Sequence, residues 1–327
     1  MSVSCNGGYL SPCHPDTIPI CCSWTRKSVV AMSYKSQRLT TILCLAFLLI
    51  ATGGCSRVSI SYNSADFLIE RYARDYLGLD DPQIESWEPK LESALARHRR
   101  EDLPYLARFF NDAHTGAMKG FDAQRMRCLV VQFEDLYRRN MRVAVDLAAP
   151  LLTALTPDQI RALEDKFRRE KAEEEEEGEK DAAGQVRKRA KRYQESIAWW
   201  TGPLTKQQKT IVREQTAAMP DTTADWIAYR SAERKGLIDL LDRGASEAEI
   251  HNFLNAWLVE HRNLPAGLRT ARKQMRDRIS ELFIRLDATF SAEQRTHFVD
   301  RLADLRDDFM SLQRQPRMAS VRCSGAG

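Results

Sequence analysis

The sequence has few chain-breaking residues, 15 Gly and 12 Pro in 327, which excludes a collagenous or low-complexity protein. Beyond residue 54 it shows no sustained alternation of apolar and polar residues. It also has no Asn-Gly or Asp-Gly turn between such runs, so nothing points to β-hairpins. It lacks His-Glu-x-x-His, Cys-x-x-Cys and Gly-x-Ser-x-Gly, and it has no glycine-rich phosphate loop. The common metalloprotease, zinc-module, serine-hydrolase and nucleotide-binding signatures are therefore missing. No apolar run reaches the ~20 residues a membrane-spanning helix needs. Neither composition nor motif points to a catalytic residue, a metal ligand or a cofactor. What remains is 43% hydrophobic and 29% charged residues, enough apolar matter for a packed core.

The first 54 residues stand apart. Thr41 to Thr52 is a twelve-residue apolar stretch that follows Lys35 and Arg38 and ends in Gly53-Gly54-Cys55-Ser56. A basic start, a short apolar segment and small residues before a cut describe a secretory signal. A cysteine directly after the small residues resembles the lipobox of bacterial lipoproteins, although Thr52 stands where that motif usually carries Leu. The resemblance implies that the Cys55 thiol accepts a diacylglycerol and that the chain is cut before it. It also implies outer-membrane anchoring facing the periplasm, since Ser56 rather than Asp follows the cysteine. Met32 suits a true start, leaving 1–31 as an extension and 32–54 as the signal. Without residues 1–54 the chain keeps 45 basic against 44 acidic residues, so its basicity came largely from the leader. Three cysteines also remain, Cys55, Cys128 and Cys323. A Cys128–Cys323 disulfide is left open.

The mature chain reads as helix throughout. Ile250, Phe253, Leu254, Trp257 and Leu258 share one helical face, as do Leu129, Phe133, Leu136, Val143 and Leu147. The expectation is an all-α, multi-helix bundle of amphipathic helices. Four helix starts carry one motif. Asp80 and Gln83, Thr156 and Gln159, Thr205 and Gln208, and Ser291 and Gln294 each combine an N-cap residue with a Gln three positions on. That spacing predicts capping boxes, with an apolar residue before each cap for a hydrophobic staple. Four residues after each Gln comes Trp87, Leu163, Val212 or Phe298. The copies pair as 83 with 159 and 208 with 294, which suggests two similar helical halves. The expected organisation is an anchor linker over 55–63, a half over 64–170, a charged connecting helix or linker over 171–192, a second half over 193–312 and a disordered tail over 313–327.

Among the five histidines of the mature chain, only His98 lies in an unusual setting. His98-Arg99-Arg100-Glu101-Asp102 precedes Pro104, and His98, Arg99 and Arg100 form a candidate patch for phosphate or carboxylate. A salt-bridged helix junction explains the same residues. Trp199 and Trp200 either grip a partner or pack against the next helix. The basic cluster Arg187 to Arg192, after the acidic run Glu173 to Glu177, reads as a solvated face, and export argues against nucleic acid as a partner.

The Leu-Thr-x-x-Gln helix starts after a secretory leader resemble the Spy/CpxP group of periplasmic chaperones and stress regulators, which are helical dimers that hold unfolded clients. Longer segments carry a second resemblance: Cys55-Ser56, Tyr62 to Asp66, Tyr76-Leu77 into Leu79 to Gln83, His98 to Pro104, and Trp199-Trp200 ahead of Leu204 to Gln208. On these the chain is similar to an uncharacterised family of proteobacterial lipoproteins, which brings no activity with it. The expected function is a lipid-anchored, non-enzymatic envelope protein that binds protein partners or unfolded clients. The alternative is an enzyme or structural factor acting on an envelope polymer, with paired carboxylates as acid and base.

Overall fold

The computed structural model describes residues 57–178 and 182–321; the leader, Cys55 and Cys323 lie outside the described residues. Among the described residues there are twelve α-helices, one π-helical turn and no strand. The helices are α1 (Arg57–Asn63), α2 (Ala65–Leu77), α3 (Asp81–Glu101), α4 (Leu103–Lys119), α5 (Ala123–Thr153) and α6 (Pro157–Gly178). They continue with α7 (Ala182–Thr201), α8 (Lys206–Ala217), α9 (Thr223–Asp242), α10 (Glu247–Leu254), α11 (Ala266–Asp287) and α12 (Ala292–Ser311). The π-turn, Asn255–Val259, follows α10 directly. The protein is an all-α, multi-helix bundle.

All four Gln motifs form capping boxes. The side chains of Asp80, Thr156, Thr205 and Ser291 accept from the backbone N–H of the Gln three residues on. Each Gln Oε1 in turn accepts from the N-cap backbone N–H. The four following apolar residues, Trp87, Leu163, Val212 and Phe298, are all buried. A fifth box, at Ser246 and Glu249, starts α10 with a carboxylate in place of the amide. The Ser246 backbone N–H, then Arg243 and the Ser246 hydroxyl, hold the Glu249 carboxyl down at about 2.

The Gln side chains also meet in pairs. Gln83 Nε2 donates to Gln159 Oε1 (3.0 Å), and Gln159 Nε2 donates to Gln83 Oε1 (2.8 Å). Their second N–H groups reach backbone carbonyls, Ala154 for Gln83 and Gly78 for Gln159, both at 2.7 Å. Gln208 and Gln294 repeat this bond for bond. Their amides pair reciprocally at 2.8 and 3.0 Å, and the remaining N–H groups go to the carbonyls of Thr289 and Pro203. In all four cases the carbonyl belongs to the residue five before the partner Gln. Each amide thus uses both donors and both acceptor positions, and two helix starts far apart in sequence are locked together.

The division into halves is not a division of the core. One apolar cluster joins α3, the C-terminal part of α5 and the start of α6 to α9 and α10, through Trp87, Leu91, Leu151, Leu163, Leu237 and Ile250. A second joins Ala113 and Ala117 of α4 and Met126 of α5 to Phe298 and Leu302 of α12. A third joins α7, α8 and α11 through Ile197, Val212, Leu282 and Leu286. Helix α5 has 31 residues, about 46 Å at 1.5 Å per residue, and carries one core at each end. The halves interleave because an amphipathic helix buries its stripe against any matching face, whether near or far in sequence. A partly buried ion pair ties the second core. Arg295 Nη1 lies 2.8 Å from Asp287 Oδ1 and also donates to the Ala117 carbonyl, while Asp287 Oδ2 accepts from the Phe121 N–H.

Other expectations need correction. The segment taken as an anchor linker is helical from Arg57, because Tyr62 has a polar partner on α3. The tail over 313–327 is tied to the bundle at points of its described part, though most of those residues are exposed. Gln313 is buried, with its amide bonded to the Phe309 and Arg317 carbonyls, and the Ala319 N–H donates to the Pro104 carbonyl. The 171–192 stretch is helical on both sides of the undescribed 179–181, and its acidic side docks. Glu174 pairs with Arg230 of α9 at 2.6 Å, and Glu170 just before it pairs with Arg234, also at 2.6 Å. Phe133, expected on the buried face of α5, is exposed.

Replacing Gln208, which is fully buried, by Ala removes a capping acceptor and leaves the Gln294 amide without its partner. The expected loss is about 2–4 kcal/mol, the sum of a cap and an orphaned buried polar group. Gln83→Ala, on the more exposed clasp, costs about 1–2 kcal/mol. Chemical denaturation of both variants checks the order.

Candidate functional site

The sequence patch His98-Arg99-Arg100 forms the last turn of α3, where cations face the free carbonyls of the helix end. Helix α1 packs beside it. The Asn140 side-chain N–H donates to the Leu136 carbonyl (2.7 Å), which turns its oxygen towards His98. That oxygen can only accept, so His98 Nε2 donates to it (3.1 Å). His98 Nδ1 is then the acceptor for the Tyr62 hydroxyl at 2.9 Å. This fixes the imidazole as its Nε2–H tautomer. Arg99 donates to Asn63 Oδ1 (2.8 Å) and lies 5.0 Å above the Tyr62 ring. Burial pushes the Tyr62 phenol up to about 12, against the opposing pull of Arg99.

Tyr62, Asn63 and Arg99 form part of one wall of a groove of about 650 Å³, closed on the other side by the chain after α12; His98 lies behind Tyr62 and does not line it. Arg99, Arg100, Arg314 and Arg317 line it, against two carboxylates, Asp66 and Glu92. Arg317 donates to the Arg100 carbonyl (3.3 Å), and its own backbone N–H is held by Gln313. Arg100 pairs with Glu101 at 2.8 Å. Arg314 makes no hydrogen bond or ion pair among the described residues. The arrangement offers guanidinium donors to an anionic group. A larger cleft of about 840 Å³ lies between α6 and α9, where Lys171 and Lys235 alternate with Glu175, Asp221 and Asp225. Its mixed charge favours neither sign of ligand, so the smaller groove is the candidate site.

The remaining sequence candidates do not converge. His251 pairs with Asp146 at 3.0 Å, while His297 takes a bond from Arg301. Burial lowers the His114 and His261 pKa values. Trp200 packs against Phe110 and Phe298, but Trp199 is exposed beneath Arg301. In the basic cluster, Arg189 bonds the Met219 carbonyl. Cys128 is disulfide-bonded, and every other cysteine lies outside the described residues. Among the described residues, no group of His, Cys, Asp and Glu could hold a metal ion.

A family profile described as a family of unknown function, DUF6279, matches residues 75–264, more than half of the chain. The chain belongs to this family. No curated protein and no solved structure matches it. The family segment contains the first Gln clasp, the patch at His98 and the π-turn. It leaves out Tyr62, Arg314 and Arg317, so the groove is built from both sides of that boundary.

Sequence reasoning missed two features. One is the contribution of the tail arginines to the groove, which a compositional reading of Ser, Gly and Pro obscured. The other lies around the π-turn. His261 has a left-handed backbone (φ 50°), stacks on Tyr137 at 5.8 Å and leaves Nδ1 without a partner. The nearby Tyr229 hydroxyl is also buried and unpartnered, and burial followed by Glu233 pushes it up to about 12. Only the Trp257-Leu258 end of an apolar stripe marked this region in the sequence.

Tyr62→Phe should cost about 1 kcal/mol, because His98 loses its donor. The raised phenol pKa gives a second readout. Its stabilisation is complete below pH 10 and fades as pH rises from about 10 through about 12. The difference in stability between wild type and Tyr62→Phe should therefore shrink across that range in alkaline denaturation.

Proposed function

We propose that the protein is a non-enzymatic lipoprotein of the bacterial outer membrane, anchored through Cys55 and facing the periplasm. It binds a protein partner or client by holding an acidic segment in the arginine groove. The observation that carries this reading is the groove itself, with four arginines over two carboxylates and Arg314 uncommitted. The anchoring part is supported by the leader pattern and by the short distance in sequence from Cys55 to the first helix. No described helix is long and apolar enough to cross a membrane.

The alternative, an enzyme on an envelope polymer, calls for convergent carboxyls with one pKa raised. The carboxyl shifts resolved at Asp122, Asp221, Glu249, Glu293 and Asp307 all run downward, from hydrogen bonds made to the charged form. Such shifts suit helix caps and ion pairs better than a general acid, which supports the binding reading.

The test titrates a fluorescent Glu-rich peptide, and a Gln-rich control, into the full chain. Binding of the acidic peptide alone is expected, weakening with salt. Arg314→Ala should lower affinity roughly tenfold, equivalent to about 1.4 kcal/mol. Equal binding of both peptides, or no change in the variant, overturns the groove. The mass of the N-terminal peptide from host membranes tests the anchor separately: an acylated Cys55 start is expected, and an unmodified start elsewhere overturns it.

A further inference from the structure

Helices α1 and α2 carry apolar side chains on two opposite sides. Helical bonding runs across the joint at Ser64, whose N–H donates to the Ile60 carbonyl and whose own carbonyl accepts from Leu68. Residues 57–77 thus form two helices joined end to end through Ser64 (φ −107°, ψ 12°), together about 30 Å long. At 100° per residue, Tyr62, Ile69, Ala73 and Tyr76 share one side. The last three pack on the first apolar core, and Tyr62 meets His98. Ile60, Phe67, Leu68 and Tyr72 fall on the other side, within an arc of about 140°. They are 57, 58, 52 and 67% exposed. An amphipathic helix packed on a core needs one apolar stripe, and a second one calls for a second partner.

We infer that this outer face lies on the lipid bilayer, so that α1 and α2 form an interfacial helix that sets the orientation of the domain on its membrane. The inference rests on the anchoring reading above. The chain geometry selects the occupant. Arg57 opens α1 two residues after Cys55, and two extended residues span at most about 7 Å. Acyl chains on Cys55 therefore hold the start of α1 at the headgroup layer. Interfacial helices bury their apolar side about 5–10 Å into that boundary. Phe, Tyr, Leu and Ile on the outer face suit this depth, and Tyr favours the headgroup level. Two charged residues on this face, Arg71 and Asp75, pair with each other at 3.7 Å.

The orientation has a consequence for the groove. Tyr62, Asn63 and Asp66, from the flank of the same two helices, line it. With the outer face on lipid, the groove opens sideways along the membrane surface, and a partner reaches it there.

The test uses the full-length protein, matured in a bacterial host and reconstituted in vesicles of phosphatidylethanolamine and phosphatidylglycerol. An environment-sensitive fluorescent amino acid replaces Phe67, Leu68 or Tyr72, or the exposed Lys206 of α8 as a control. The expected result is a blue shift and loss of fluorescence at 67, 68 and 72 when the acyl chains are brominated, with none at 206. A Leu68→Ser, Tyr72→Ser variant changes only exposed side chains and should reduce the quenching at 67. The mass of the N-terminal peptide is read on the same sample. An acylated protein whose probes stay as solvent-exposed as the control overturns the orientation alone. Probes that are shielded but unquenched by brominated lipid show a protein cover, from the leader or a second copy, and also overturn it. An unacylated protein with unquenched probes overturns both the anchor and the orientation.

Discussion

Two reciprocal glutamine pairs set the frame on which the rest of the bundle is hung. A helix start leaves backbone N–H groups without intrahelical partners, and a primary amide can satisfy one of them while keeping three hydrogen-bonding positions free. Here those three positions go to a second amide and to the carbonyl that precedes the second helix. A carboxylate cannot do this, because it has no donors. The α10 box illustrates the difference. Glu249 caps its own helix and pairs with Arg243 nearby, but reaches no distant helix start. The choice of Gln over Glu turns a local cap into a long-range tie.

The ties constrain what the interleaved helices can do. The first clasp fixes the start of α3 against that of α6, with Trp87 and Leu163 one turn further on in the same core. The second fixes α8 against α12, with Val212 and Phe298 in adjoining cores. Helices α4, α9 and α10 then pack on the half to which they do not belong in sequence, and α5 is long enough to take part in both. The Asp287–Arg295 pair sits beside the second clasp and holds the α4–α5 turn to it. With both ionic groups also bonded to backbone, little of the buried carboxylate's hydrogen-bonding capacity is left unmet.

The legible parts of the sequence were those written within one helical turn. The capping boxes follow from residues three apart, and the all-α class follows from apolar spacing. The grouping of 83 with 159 and 208 with 294 was read as a sign of two similar halves, and the meeting of the glutamine side chains in space was not foreseen. The candidate patch at His98 was visible as an unusual charge cluster at a proline. What could not be read depends on neighbours brought in by the fold. Phe133 shares the spacing of Leu136 but looks outward, because periodicity defines a face and not what covers it. The tail after Gln313 has the composition of a loose end, yet the Ala319 N–H bonds the Pro104 carbonyl and the Arg317 side chain bonds the Arg100 carbonyl. The π-turn at Asn255–Val259 continues a regular apolar stripe, so the change in hydrogen bonding leaves no local sign.

Charge placement separates the groove from the rest of the surface. Most charged residues here have opposite-sign neighbours, either one turn away on the same helix or across an interface, as Glu170 and Glu174 have on α9. Such exposed pairs contribute little to stability, of order 0–1 kcal/mol, but they balance the local field. At the groove this balance fails in one direction. The last turn of α3 already favours cations because of its free carbonyls, which accounts for His98, Arg99 and Arg100. It does not account for Arg314 and Arg317, which come from a different element and face cations that are already there. Bringing like charges together raises the energy of the folded chain unless an anion enters. The Arg317 guanidinium is held beside Arg100 by its bond to the Arg100 carbonyl, and under the proposed reading a negatively charged partner would relieve this crowding of cations.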